Sequence, residues 1–200
     1  GWRYNEELAG QMRAVTEIGT HWLDLAEYIS GKRIERLSAL FGCYYPTRFV
    51  ENGMMYPNPL EGKRKEIKVT SEDSALIHFY FEDGALGSVV LSEVSQGRMN
   101  HLSIEITGAN KNLWWNSEQS TELHTAKKGA GVNTELFTFG NNGFAGSIQT
   151  LVANYYASLN LCFVEKNIMY PTLQDGEHLV KLCKAIATSG CQDGKWVKID

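Results

Sequence analysis

EIGTHWLDLAEYISG, residues 17–31 of a chain of 200 residues, decides how the rest is read. If the stretch is helical, Glu17, His21, Asp24 and Tyr28 share one stripe, because they step by four, three and four residues. Ile18, Trp22, Leu25 and Ile29 make a neighbouring stripe roughly 100° further round, so the pattern predicts that this second stripe enters a core. Gly31 supplies the expected stop, since glycine enters the left-handed conformation past a helix end without steric cost. An imidazole between two carboxylates is either a solvated face with an ion pair or one side of a site, and periodicity alone does not choose.

Working outward, the whole-chain properties narrow the function classes. The hydrophobic fraction is 43% and the formal charge −4, with no basic block, which argues against nucleic-acid or anionic-membrane binding. No apolar run approaches the ~18 residues of a membrane span, and the start GWRYNEEL lacks the basic-then-apolar order of a secretory leader. The four cysteines, Cys43, Cys162, Cys183 and Cys191, form no C-x-x-C pair. Cys162 and Cys183 fall in apolar helical patterns, so free buried thiols and a cytoplasmic location are expected.

The remaining elements follow in order. Residues 1–16 read as an irregular approach to the helix, with Trp2 and Arg3 as the notable pair. In 33–45, Leu37, Ala39, Phe41 and Cys43 alternate as on one strand face. Residues 46–64 hold three of the four prolines and read as a long surface loop. A hairpin is predicted from 74–81 and 85–92 around Asp83-Gly84, with a strand at 102–107 and shorter ones at 113–115, 122–125 and 134–139. Ser147 is placed to cap a helix carrying Ile148, Leu151, Val152, Tyr155 and Leu159 on one stripe. A last helix starts at Thr172, with Asp175 in the capping-box position. It turns Leu179, Leu182, Cys183 and Ile186 inward and stops at Gly190, before a final strand at 196–199. The sum is an α+β fold, a largely antiparallel open sheet with helices packed on one face.

A nicotinamide or flavin site would normally show G-x-G-x-x-G between a strand and a helix. Gly129-Ala-Gly131 lacks the third glycine and reads as a turn between short strands. There is no phosphate loop and no nucleophile elbow. A metal held by His21, Asp24 and a third ligand is disfavoured, since His78, His101, His124 and His178 lack ligand spacing.

The string Glu17-Ile-Gly-Thr-His21-x-x-Asp24, preceded by Trp2-Arg3, resembles the D-I-G-[ST]-H-x-x-D motif of the glucose–fructose oxidoreductase/inositol dehydrogenase (Gfo/Idh/MocA) family. The stretch from Asp73 through Gly84 and Gly87 to Gly108 resembles that family's central hairpin and next strand. Tyr170-Pro171-Thr172, Asp175-Gly176, Ser189 and Trp196-Val197 resemble its closing helix and strand. The resemblance implies that residues 1–200 are a single C-terminal substrate-binding and oligomerisation domain, with the N-terminal Rossmann half that binds NAD or NADP absent. It further implies that His21 is the catalytic acid/base and that Glu17, Asp24 and Arg3 bind a sugar, polyol or similar hydroxy compound. Glu17 stands where the family has aspartate, and its extra methylene moves the carboxylate by roughly a bond length. Tyr28 is expected to pack. The isolated chain is expected to bind no cofactor and to be inactive, and to form a homo-oligomer through its bare sheet face. Two other readings stay open: a non-catalytic sugar-binding or assembly module, and half of an NAD-dependent glycosidase.

Overall fold

The computed structural model describes residues 2–60, 62–98, 100–137, 143–161 and 170–200. Cys162 and the end of the strand expected at 134–139 lie outside them, as does the side chain of Ser147. The chain divides into two units, residues 1–96 with 174–200, and residues 97–173.

The first unit is built on a four-stranded antiparallel sheet in the order β11 (Val197–Lys198), β1 (Ile34–Gly42), β5 (Ser74–Phe81) and β6 (Leu86–Ser92). Strands β5 and β6 are the hairpin expected from Asp83-Gly84, and Gly84 takes the positive φ of 84° that the tight turn requires. Alternation sends Leu37, Ala39, Ala75, Ile77, Phe79, Val89 and Leu91 to one face. There they bury against Val15, Leu23, Leu182, Ala185 and Ile186. Those partners come from a π-helical turn (Val15–Gly19), from α2 (Thr20–Ser30) and from α4 (Leu173–Gly190), so the helices cover one face, as the sequence predicts. Phe79 is the centre of this core, edge-on to Trp22 and Phe81 with centroids 6.0 and 5.2 Å away. Its ring lies over Gly87, where a Cβ would sit 2.1 Å from the ring edge. On the opposite face Leu40, Leu76 and Val90 stand side by side in register and exposed.

Residues 46–64 are not the long loop that their prolines suggested. β2 (Thr47–Glu51) pairs with β3 (Met54–Tyr56) and with β4 (Lys65–Lys68) in a small antiparallel sheet. Asn52 and Gly53 join β2 to β3, with φ of 50° and 74°. Asn-Gly is the strongest short hairpin signal, and it outweighs prolines that fall beyond the strand ends. The expected irregular start also contains structure: a 3-10 turn at Trp2–Tyr4 and a short helix α1 (Glu6–Ala9), whose Asn5 side chain accepts from the Glu7 amide.

The second unit is a meander in the order β10 (Val132–Leu136), β9 (Glu122–Ala126), β8 (Asn112–Asn116) and β7 (Ser103–Thr107), followed by α3 (Gly143–Leu161). The expected α3 stripe is not buried: Ile148, Leu151, Val152, Tyr155 and Leu159 are all exposed. An apolar stripe buries only where a neighbouring surface is close enough to exclude water, and periodicity does not report that distance. Gly129-Ala-Gly131 lies in the turn between β9 and β10, as its missing third glycine suggested, and Gly129 has φ of 77°.

Candidate functional site

The site helix is α2 (Thr20–Ser30), ending at Gly31 with φ of 65°, as expected. It is preceded without a break by a π-helical turn at Val15–Gly19. Entry into that turn is organised by a buried carboxylate. Glu72 accepts the backbone amides of Arg13 (2.9 Å) and Val15 (2.8 Å), the orphan donors of a helix start. Burial pushes its carboxyl above the ordinary range, while those same amides pull it back. Arg13 is itself buried; its Nε donates to Glu93 at 2.7 Å, and its guanidinium lies 4.2 Å from the Tyr4 ring. Charge and hydrogen bonding thus join the buried Ala14 and Val15 in docking the segment before the site helix onto the sheet.

The buried stripe of the helix is Val15, Gly19, Leu23 and Ala26, not the expected one. Ile18, Trp22 and Leu25 are only partly buried, and Ile29 is exposed. The small residues decide this. A Cβ on Gly19 would stand 2.6 Å from Leu91 Cδ1, so the helix lies flush on β6 along its smallest side chains. Large apolar residues then flank the contact line. Tyr28, expected to pack, is exposed for the same reason.

Of the predicted site residues, Arg3 and Glu17 meet directly, Nε to Oε2 at 2.7 Å, with the Arg3 guanidinium 4.9 Å from the Trp2 ring. His21 is exposed on the next turn, and Asp24 follows it half-buried. The Asp24 carboxyl is pushed above its ordinary range, first by burial and then by the Asp175 and Glu27 carboxylates. Arg33 and His21 act in the opposite sense. An exposed imidazole is chemically able to accept and return a proton. The Arg3–Glu17 pair offers a donor and an acceptor at the preceding π turn. The stripe is an open wall: a nearby cleft of about 290 Å³, lined by Met12, Phe41, Cys43, Glu72, Ala187 and Cys191, includes none of the four.

Glu27 was missed by the sequence reading. It is 5% exposed, accepts the Ile34 amide (2.7 Å) and Arg33 Nη1 (2.9 Å), and meets His178 Nε2 at 2.9 Å. It ties the end of α2 to the start of β1 and to α4, while Arg33 also reaches Asp175 at 3.0 Å. A usable signal existed, because Glu27 continues the fourfold step Val15, Gly19, Leu23. An acid on a core stripe demands buried partners. Ser189 is a smaller tie of the same kind, since its Oγ accepts the Ala39 amide and donates to the Lys195 carbonyl.

Among the described residues, no group of three or more His, Cys, Asp or Glu side chains is placed to hold a metal ion. Gly129 and Gly131 sit in a hairpin turn rather than between a strand and a helix N-terminus, so they do not fit a dinucleotide cradle. Cys43, Cys183 and Cys191 are free; Cys183 is half-buried, while Cys43 and Cys191 are exposed. No helix among the described residues is long and apolar enough to cross a membrane.

With this geometry in hand, comparison with known proteins is informative. The GFO/IDH/MocA C-terminal domain family matches residues 1–113, more than half of the chain. The levoglucosan dehydrogenase of Pseudarthrobacter phenanthrenivorans is 30% identical over 129 residues, covering 62% of this chain and 32% of that relative. Among solved structures, apo levoglucosan dehydrogenase superposes with a TM-score of 0.84 at 22% identity, covering 100% of this chain and 54% of its own. An oxidoreductase domain protein from Kribbella flavida gives 0.80 at 24%, covering 100% and 53%. An inositol dehydrogenase homolog from Azotobacter vinelandii, solved with NAD+, gives 0.77 at 21%, covering 98% and 51%. At these identities the structures establish the fold alone. The chain spans about a third of the length of the curated relative and about half of the solved ones.

Proposed function

Because the chain belongs to the GFO/IDH/MocA family, we propose that it is the substrate-binding half of an NAD(P)-dependent oxidoreductase acting on a sugar, polyol or similar hydroxy compound. What supports this reading is the ion pair of Arg3 with Glu17 and the electrostatic influence of His21 on Asp24 within the motif segment. His21 accepts the proton of the substrate hydroxyl, with Asp24 three residues on along the same helix. Arg3 and Glu17 bind and orient neighbouring hydroxyls. NAD or NADP would supply the hydride chemistry from a nucleotide-binding half outside these residues, and no residue of this chain is assigned to it. The cytoplasmic location is proposed on the free cysteines.

Joining the chain to an NAD(P)-binding half and replacing His21 with Ala tests the reading. A loss of roughly 10²–10⁴-fold in kcat/KM is expected on removing a general acid/base. An unchanged value rules the role out. One observation favours the non-catalytic sugar-binding alternative: the Glu17 carboxylate is already engaged by Arg3. That alternative predicts sugar binding with no turnover in the joined protein. The glycosidase alternative predicts cleavage without net reduction of the cofactor. We further propose that the exposed row Leu40, Leu76 and Val90 packs against a second copy; Val90→Glu should then lower the sedimentation coefficient.

A further inference from the structure

The meander of the second unit ends on β10, which pairs with β9 and, among the described residues, with no other strand. All five of its residues are exposed, Val132 at 62% and Leu136 at 75%. An edge strand with both faces in water and apolar side chains at its ends is a template for another strand.

The direction of its free backbone groups can be worked out. The Phe137 amide donates to the Thr121 carbonyl at 2.8 Å, so Phe137 faces β9. In an antiparallel pair, N–H and C=O of one residue point the same way and successive residues alternate. Glu135 and Asn133 therefore also face β9, while Val132, Thr134 and Leu136 turn their amides and carbonyls to the open edge. The short His124 Nδ1 to Thr134 Oγ1 contact, 2.9 Å, fits this parity, because facing residues without shared ladder bonds bring their side chains closest.

We propose that β10 pairs antiparallel with β10 of a second copy, about a two-fold axis at Thr134. The sequence Val-Asn-Thr-Glu-Leu is complementary to itself in that register. Val132 faces the other copy's Leu136, and Asn133 faces its Glu135, an amide donor against a carboxylate acceptor. Thr134 faces itself, a favoured cross-strand pair. The outward groups of Val132, Thr134 and Leu136 are those that such a ladder consumes. A partner of other sequence would satisfy the backbone without matching both the apolar ends and the Asn–Glu pairs. This pairing joins two four-stranded sheets into one, uses a surface other than the outer face of β1, β5 and β6, and does not depend on the oxidoreductase reading.

Sedimentation equilibrium of the 200-residue chain, with amide hydrogen exchange as a function of concentration, tests it. In a Val90→Glu background, which removes the outer-face contact proposed above, a monomer–dimer equilibrium is expected, with Val132, Thr134 and Leu136 amides gaining protection as dimer forms. Thr134→Pro removes an outward donor and leaves the ladder to β9 intact, and Leu136→Lys places a charge on the edge; each should abolish that dimer. A Val90→Glu chain that stays monomeric overturns the proposal. So does a dimer that persists in both double variants.

Discussion

At the scale of single residues, Asp24 carries the sharpest expectation. Its folded carboxyl titrates above the ordinary value of 3.8, with burial as the first cause. The folded chain therefore holds this proton more tightly than the unfolded chain. Stability then falls as pH rises from that ordinary value through the raised one, and is regained on acidification. Glu72 contributes in the same direction above its ordinary 4.5. Asp24→Asn should raise Tm at neutral pH and flatten the decline in Tm above the ordinary carboxylate value of 3.8, the difference vanishing well below it. A lower Tm at neutral pH would show that the charged form is held by partners rather than strained by burial. The three-residue spacing made the electrostatic proximity of His21 and Asp24 legible in the sequence. The Arg3–Glu17 contact was not, because nothing local predicts that residues fourteen apart across a π turn will meet.

At the scale of elements, patterns were read correctly where one signal dominated and misread where two competed. Asp83-Gly84 between alternating strands left one answer, and the β5–β6 hairpin follows it. Around Asn52-Gly53 the prolines suggested a loop, yet pairing geometry prevailed. On α2 the bulkiest apolar stripe looked like the core side, but close approach selects small residues, and Gly19 and Ala26 set the contact line. Gly87 shows the same preference under Phe79. Gly87→Ala must displace a buried ring and should cost about 1–3 kcal/mol, measured by urea unfolding. Glu27→Ala leaves the Ile34 amide and His178 without their acceptor, and about 2 kcal/mol should be lost in the same assay, after discounting the half-exposed Arg33.

At the scale of the whole molecule, fold class was readable because strand alternation, turn residues and helix stops agreed. The exposed α3 stripe and the small β2–β3–β4 sheet were not, since they depend on which surfaces meet. What the site helix rests on was equally hidden. Glu72 grips the backbone at the entry to its first turn, and Glu27 grips the chain just past its last. The helix is thus a beam pinned at both supports. Sliding it along its axis, or rotating it by one residue, would strip buried acceptors from both ends at once. On the proposed binding role, differences among ligands would fall to the rotamers of Arg3, Glu17, His21 and Asp24, while the backbone between the two clamps keeps one position.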